Sequence, residues 1–76
     1  MSKKSKPIEP TAQSLGRRIK KARLAKGESV FGLALEAALT EALIEMLEKG
    51  TYQPTPIVLW RIARHLGVSV DALLKP

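Results

Sequence analysis

The sequence contains no cysteine and only one histidine, His65. Without cysteine the chain can form neither a disulfide bond nor a thiolate metal site. With a single histidine, the usual metal clusters and most acid–base arrangements are also missing. These absences predict a protein that is not an enzyme and that needs no metal and no cofactor. His65 itself is predicted to be an exposed helix residue without a chemical role.

Long apolar runs are absent as well. No stretch approaches the roughly 18 apolar residues that a membrane-spanning helix needs, and the N-terminus lacks the apolar centre of a secretion signal. The sequence therefore predicts a soluble, cytoplasmic protein that binds neither a membrane nor a small molecule. Its 76 residues are near the lower limit for folding without disulfides or metal ions, so a single domain is expected.

The positive charge of the chain is distributed unevenly. The net charge is +6, and residues 14–28 alone contain six Lys or Arg residues and one Glu. Residues 29–48 contain four Glu residues and no cation. A basic protein favours polyanions as partners, but here the cations surround the central segment and avoid it.

Residues 1–10 have the composition of a disordered basic arm. The segment MSKKSKPIEP is polar and lysine-rich and contains two prolines, a composition that does not support a packed core. Such an arm either follows DNA phosphates or only keeps the protein in solution. Residues 11–76 are predicted to form one domain.

Five short helices are predicted between residues 11 and 76. No stretch alternates apolar and polar residues with a period of two, so no strand is expected. Helix 1 is predicted from about Ala12 to Ala25, and Thr55 followed by Pro56 marks the start of helix 4. The predicted N-caps are Thr11, Ser29, Thr40, Thr55 and Ser69. The positions predicted to face the core at helical spacing are Leu15, Ile19, Ala22, Leu33, Ala34, Ala37, Leu39, Ile44, Leu47, Leu59, Ile62, Ala63, Leu66, Val70 and Leu73.

Several short motifs lie between residues 15 and 74. They are Leu15-Gly16 with Ile19, Lys26-Gly27 with Ser29, Leu33-Ala34 with Ala37, and Ile62-Ala63-Arg64 followed by Leu66-Gly67-Val68-Ser69. With these motifs, residues 15–74 resemble the lambda-repressor-like, Cro/C1-type (XRE-like) helix-turn-helix family. The resemblance implies an all-α, five-helix lambda-repressor-like helix-turn-helix domain, with the helix-turn-helix at about residues 29–49.

The resemblance also implies roles for particular residues. In this family an arginine of helix 1 pairs with a glutamate at the end of helix 3, which corresponds here to a structural ion pair between Arg23 and Glu48. The surface that many family members use to dimerise lies near Ile57 and Trp60, so the resemblance implies a dimer contact there, with a position at the edge of the core as the alternative for Trp60. The loop that touches the sugar-phosphate backbone in the family corresponds to Lys49, Thr51, Tyr52 and Gln53.

The departures from the family pattern cluster on one face. Val30 stands where the family usually has glutamine, and Ala38 replaces the glycine of the turn. The positions that contact bases in the family are Thr40, Glu41, Ala42, Leu43, Glu45 and Met46. Glutamate can accept a hydrogen bond from cytosine and alanine can touch a thymine methyl, but no residue here offers the Arg–guanine or Asn/Gln–adenine pairing. DNA binding is therefore predicted to be mostly non-specific.

This pattern leads to a first functional hypothesis, an interaction protein on a helix-turn-helix scaffold. The predicted protein-binding face consists of Val30, Phe31, Leu35, Thr40, Glu41, Ala42, Leu43, Glu45 and Met46. Apolar residues within a charged rim are typical of protein interfaces, and a gap formed by the small residues Gly32 and Ala42 would let a partner helix approach closely. The partner would be another protein or a second copy of the chain. Such a face is compatible with an engineered interface and with a natural family member that has exchanged DNA for a protein.

Three alternatives remain open at this stage. The first is the ordinary role of the family, a DNA-binding transcriptional regulator of the Cro/C1 type, either alone or combined with protein binding. The second is that several apolar residues of the face belong to the core. The third is that helices 2 and 3 fuse at Ala38 and open the domain into a swapped dimer, although Thr40, a good cap, argues against fusion.

Overall fold

Five α-helices account for most of residues 11–75, the part of the chain that this computed structural model describes. They are α1 (Ala12–Ala25), α2 (Val30–Ala37), α3 (Glu41–Lys49), α4 (Pro56–Leu66) and α5 (Val70–Leu74). No strand occurs between residues 11 and 75, and the predicted all-α, five-helix fold is confirmed. The predicted disordered arm, residues 1–10, lies outside the described residues.

Every helix begins at a serine or threonine whose hydroxyl oxygen accepts a hydrogen bond from a backbone N–H three residues later. The pairs are Thr11 with Ser14, Ser29 with Gly32, Thr40 with Leu43, Thr55 with Val58, and Ser69 with Ala72, at 2.9–3.3 Å. The first N–H groups of a helix have no partner inside the helix, and a cap that satisfies one of them typically contributes about 1 kcal/mol. These short local signals determine where the helices start.

The core is formed by apolar residues from all five helices. Its six largest fully buried side chains are Leu15, Ile19, Leu33, Ile44, Leu47 and Ile62. Leu59, Ala63, Leu66 and Leu73 complete it from α4 and α5. The residues predicted at helical spacing thus supply the core, with Ala22, Leu39 and Val70 partly buried at its edge.

Gly16 permits α1 and α3 to approach each other closely. A Cβ atom at this position would overlap the backbone carbonyl oxygen of Leu47 and would lie 2.9 Å from that of Glu48. Because both obstacles are backbone atoms, they cannot move aside without displacing α3. Glycine at position 16 therefore fixes the distance between α1 and the end of α3.

Helices α2 and α3 are separate, and the turn between them is formed by Ala38 and Leu39. Ala38 adopts the left-handed conformation, with φ 60° and ψ 45°, and it is the one residue other than glycine with positive φ in residues 11–75. The N–H of Leu39 then donates to the carbonyl of Ala34 at 2.8 Å and closes the end of α2. The alternative in which the two helices fuse is therefore wrong for this structure.

The conformation of Ala38 predicts a stabilising substitution. Ala38→Gly is expected to raise the free energy of unfolding by about 1 kcal/mol, because glycine adopts positive φ without steric strain. Urea denaturation followed by circular dichroism measures the change. Ala42→Gly is the matched control, since it places glycine in a right-handed helix and should instead lower the stability by about 0.5–1 kcal/mol. Destabilisation by both substitutions would contradict the prediction.

Candidate nucleic-acid interface

Helix α3 presents one continuous exposed face. Ile44 and Leu47 are buried and attach the helix to the core. With 3.6 residues per turn, the residues opposite them point outward, and Glu41, Ala42, Glu45, Met46 and Lys49 are all exposed. Glu41 lies in the first turn of α3 and Lys49 in its last turn, where the helix dipole favours an anion and a cation, respectively. A partner that approaches α3 from solvent therefore meets two carboxylates, two apolar side chains and one ammonium group.

Only part of the predicted protein-binding face is exposed. Phe31, Leu35 and Met46 point into solvent and keep 59%, 64% and 41% of their surface exposed. Val30 and Leu43 are partly buried and pack against the core, so their assignment to the outward face is corrected. Their position at helical spacing does not distinguish the core edge from the surface, because that depends on which neighbouring helix covers them.

Gly32 does not leave a gap for a partner helix. A Cβ atom there would lie 2.5 Å from the Oε2 atom of Glu28. The space beside Gly32 is therefore occupied by the end of the Glu28 side chain, which a partner helix would have to displace.

The sequence predicted that His65 is an exposed residue without a role. In the structure it is instead mostly buried and contacts another part of the chain. Its Nε2 atom lies 3.3 Å from Oε2 of Glu28, and the two side chains are only 18% and 19% exposed. The backbone carbonyl of His65 accepts a hydrogen bond from Nζ of Lys26. These contacts join the end of α4 to the segment between α1 and α2, across a separation in sequence that no local pattern reveals.

Arg23 and Glu48 form a buried, two-pronged ion pair between α1 and α3. Nε of Arg23 lies 2.7 Å from Oε2 of Glu48, and Nη2 donates to Oε1 at 3.0 Å. The remaining Nη1 donates to the backbone carbonyl of Glu28 at 2.8 Å. Hydrogen bonding to Glu48 raises the pKa of Arg23, against the opposing effect of burial. One guanidinium thus holds together the end of α3, α1 and the segment that leads into α2.

The loop after α3 contains the four residues expected at the sugar-phosphate backbone. Lys49, Thr51 and Gln53 are exposed, whereas Tyr52 is partly buried and packs against the core. The hydroxyl and the N–H of Thr51 both donate to the carbonyl of Met46, at 3.2 and 3.0 Å. Because phosphate oxygens only accept hydrogen bonds, Thr51 has no donor left for a phosphate while these bonds persist. Lys49 and Gln53 keep their donors directed at solvent.

A second exposed apolar site lies on α4. Ile57 and Trp60 are 63% and 52% exposed and are three residues apart, so they share one side of the helix. The guanidinium carbon of Arg64 lies 5.3 Å from the centroid of the Trp60 ring, within the range of a cation–π contact. This contact holds the indole ring in place at the surface.

Metal ligands and membrane-spanning helices are not found in the described part of the chain. Between residues 11 and 75, no group of three or more His, Asp or Glu side chains is placed to hold a metal ion. None of the helices there combines the length and the apolar character needed to cross a bilayer. The exposed faces of α3 and α4 and the loop between them remain as the candidate site.

Comparison with known proteins shows what this arrangement of five helices is similar to. The profile of the HTH_3 helix-turn-helix family matches residues 19–73. The solved structure of SinR, described as the master regulator for biofilm formation in complex with DNA, is 32% identical with a TM-score of 0.78 over 80% of this chain and 98% of that one. The clp gene regulator ClgR from Corynebacterium glutamicum is 28% identical, with a TM-score of 0.79 and 90% of each chain covered.

A third solved structure is similar in fold. The restriction-modification controller protein C.AhdI from Aeromonas hydrophila is 24% identical, with a TM-score of 0.80 over 83% of this chain and 96% of that chain. No curated protein matches the chain.

These findings overturn the hypothesis that α2 and α3 form a protein-binding face in place of a DNA-binding one. The matching family and the similar structures are helix-turn-helix regulators, one of them solved with DNA, and they favour the Cro/C1-type alternative. The hypothesis weighed the possible Glu–cytosine and Ala–thymine contacts too lightly against the lack of Arg, Asn and Gln. Those side chains recognise guanine and adenine, whereas carboxylates and apolar groups recognise cytosine and thymine. Nothing in these findings supports an engineered interface either.

Proposed function

Because this chain belongs to the HTH_3 helix-turn-helix family, we propose that it is a DNA-binding transcriptional regulator that places α3 in the major groove. The observation that carries the proposal is the exposed face of α3 on a framework that is 32% identical to a regulator solved with DNA. The core residues Ile44 and Leu47 fix the orientation of α3, so its outward residues meet the base edges together. This activity consists of binding alone.

Phosphate contacts come from the end of α3 and the loop after it. Lys49 and Gln53 are exposed, with donors available, and Tyr52 is held between them by its packing on the core. Phosphate contacts orient a protein on DNA without specifying the sequence. Glu41 and Glu45 lie close by and repel phosphates, so non-specific affinity is weak and binding depends on the correct bases.

A second copy of the chain is proposed to dock on Ile57 and Trp60. Both side chains expose more than half of their surface, and the Arg64 contact keeps the Trp60 ring in a defined position. A two-fold dimer would present two α3 helices to two half-sites, separated by about one turn of DNA, roughly 34 Å. The operator of such a dimer is a palindrome.

Selection from a random pool of duplex DNA at about 150 mM salt tests both proposals, since this ionic strength weakens bare charge attraction. We expect enrichment of a palindromic motif. Enrichment of a single half-site would contradict the dimer and retain DNA binding, and no enrichment by the folded protein would contradict DNA recognition itself. Met46→Glu should abolish enrichment. Leu24→Glu is the matched control, because Leu24 is 57% exposed on α1 and the same change there should leave the motif unaltered.

A further inference from the structure

We propose that Glu45 selects a cytosine and that Ala42 and Met46 select neighbouring thymines in the operator half-site. This inference rests on the proposed DNA-binding function. It adds the chemical class of the bases that α3 recognises and assigns Glu45 as the specificity-determining residue.

The three side chains occupy one patch in the middle of α3. Glu45 follows Ala42 by three residues and directly precedes Met46, and all three are exposed. Residues three and four apart on a helix are neighbours on its surface. The methyl group of Ala42 therefore lies next to both the carboxylate of Glu45 and the long, flexible thioether side chain of Met46.

A carboxylate restricts the bases that can lie opposite it. It only accepts hydrogen bonds, and the major groove offers donors from two bases, the N4 amino group of cytosine and the N6 amino group of adenine. Adenine places the N7 acceptor beside its amino group, which repels a second carboxylate oxygen, and guanine and thymine present acceptors at the equivalent positions. In both base pairs the partner base places an acceptor on the other side of the amino group. Cytosine has a C–H in place of N7 on its own edge, so it is the base that satisfies Glu45 with less repulsion.

The apolar neighbours of Glu45 favour thymine. The C5 methyl group of thymine is the main apolar feature of the major groove, and alanine recognises it by contact. Met46 is unbranched and polarisable, so it adapts to a methyl group at a variable distance. A cytosine with thymines beside it therefore matches the order of Glu45, Ala42 and Met46 along the exposed patch.

Glu41 has a structural role in α3, whereas Glu45 takes no part in the contacts that attach α3 to the rest of the domain. Glu41 is in the first turn of α3, where its charge stabilises the helix dipole. Within residues 11–75, an ion pair joins Arg23 to Glu48 and the carboxylate of Glu28 faces His65, and neither contact includes Glu45. An exposed carboxylate outside these contacts, placed at the centre of a surface for a polyanion, is best explained by a hydrogen-bond donor on the DNA.

The test is a change of base preference in Glu45→Gln. Glutamine forms a two-pronged pairing with N6 and N7 of adenine, so the variant should prefer adenine where the parent chain prefers cytosine. The parent and the variant are each put through the duplex selection, and their affinities for the cytosine and adenine versions of the enriched site are then measured. The ratio of the two affinities should change by about 10-fold or more in favour of adenine, the size of one good base contact.

The affinity ratio is the readout because removing a carboxylate raises the affinity for every DNA sequence alike. Glu36→Gln is the matched control: Glu36 is exposed on α2, the change of charge is the same, and the base preference should not move. An unchanged motif in Glu45→Gln, or a parent motif without a position that requires cytosine, would overturn this inference while the regulator stands. A folded parent chain that enriches no motif would overturn the proposed function itself.

Discussion

Replacing Glu48 with alanine is expected to destabilise the domain by about 3–5 kcal/mol, the range for removing one partner of a buried ion pair. The Arg23 side chain is only 9% exposed in this pair, so the substitution leaves a buried guanidinium without its carboxylate. Small domains have total stabilities of about 5–15 kcal/mol. A loss of this size therefore removes a large part of the stability and is measured by urea denaturation.

Two further variants show whether the charge or the packing is responsible. Glu45→Ala removes a carboxylate from the exposed side of the same helix and should change the stability by less than about 0.5 kcal/mol. The double variant Arg23→Met with Glu48→Leu should recover most of the loss, because apolar residues of similar volume often replace a buried ion pair without cost. Equal losses in Glu48→Ala and Glu45→Ala would contradict the assigned role of the pair.

The effect of Glu48→Ala should not depend on pH in the neutral range. Folding raises the pKa of Arg23. Charged Arg23 therefore stabilises the folded state at every pH below the ordinary range of arginine, and this contribution to the free energy of unfolding is lost only when the pH rises above that range. The guanidinium is therefore charged at both pH 6 and pH 9. The losses of unfolding free energy measured for Glu48→Ala at pH 6 and at pH 9 should agree within the error of the measurement.

The features that could be predicted from the sequence depend on contacts between residues that are close in the chain. The N-cap of α4 needs only Thr55 and the N–H of Val58, three residues later. The core position of Ile44 follows from its spacing to Leu47 within α3. The starts of the helices, their inward faces and the fold class were accordingly predicted correctly.

The features that sequence reasoning missed depend on long-range packing. The carboxylate of Glu28 fills the space beside Gly32 and also faces His65, and no periodic pattern connects residues 28 and 65. Val30 and Leu43 share the spacing of surface positions but are covered by other parts of the fold. The functional error has a different origin, because the hypothesis was argued from the side chains that the face lacks, and the similar structures favour a DNA-binding regulator instead.

Two leucines of α2, Leu33 and Leu35, should differ greatly in their contribution to the stability of the domain. Leu33 is fully buried and Leu35 is 64% exposed, although the two lie two residues apart in the same helix. Leu33→Ala is expected to cost about 2–5 kcal/mol, because it removes buried apolar atoms and leaves a cavity, whereas Leu35→Ala should stay within about 0.5 kcal/mol. Urea denaturation of both variants provides the comparison, with helix propensity nearly the same in each.

The comparison also decides whether the apolar residues of α2 belong to the core or to the surface. A loss of several kcal/mol in Leu35→Ala would place Leu35 in the core and contradict the exposed position that the fold assigns to it. A small loss in Leu33→Ala would show that α2 is attached mainly by Ala34 and Ala37. The expected result would place Leu35, like the exposed Phe31, on the solvent side of α2, where both can be substituted without unfolding the domain.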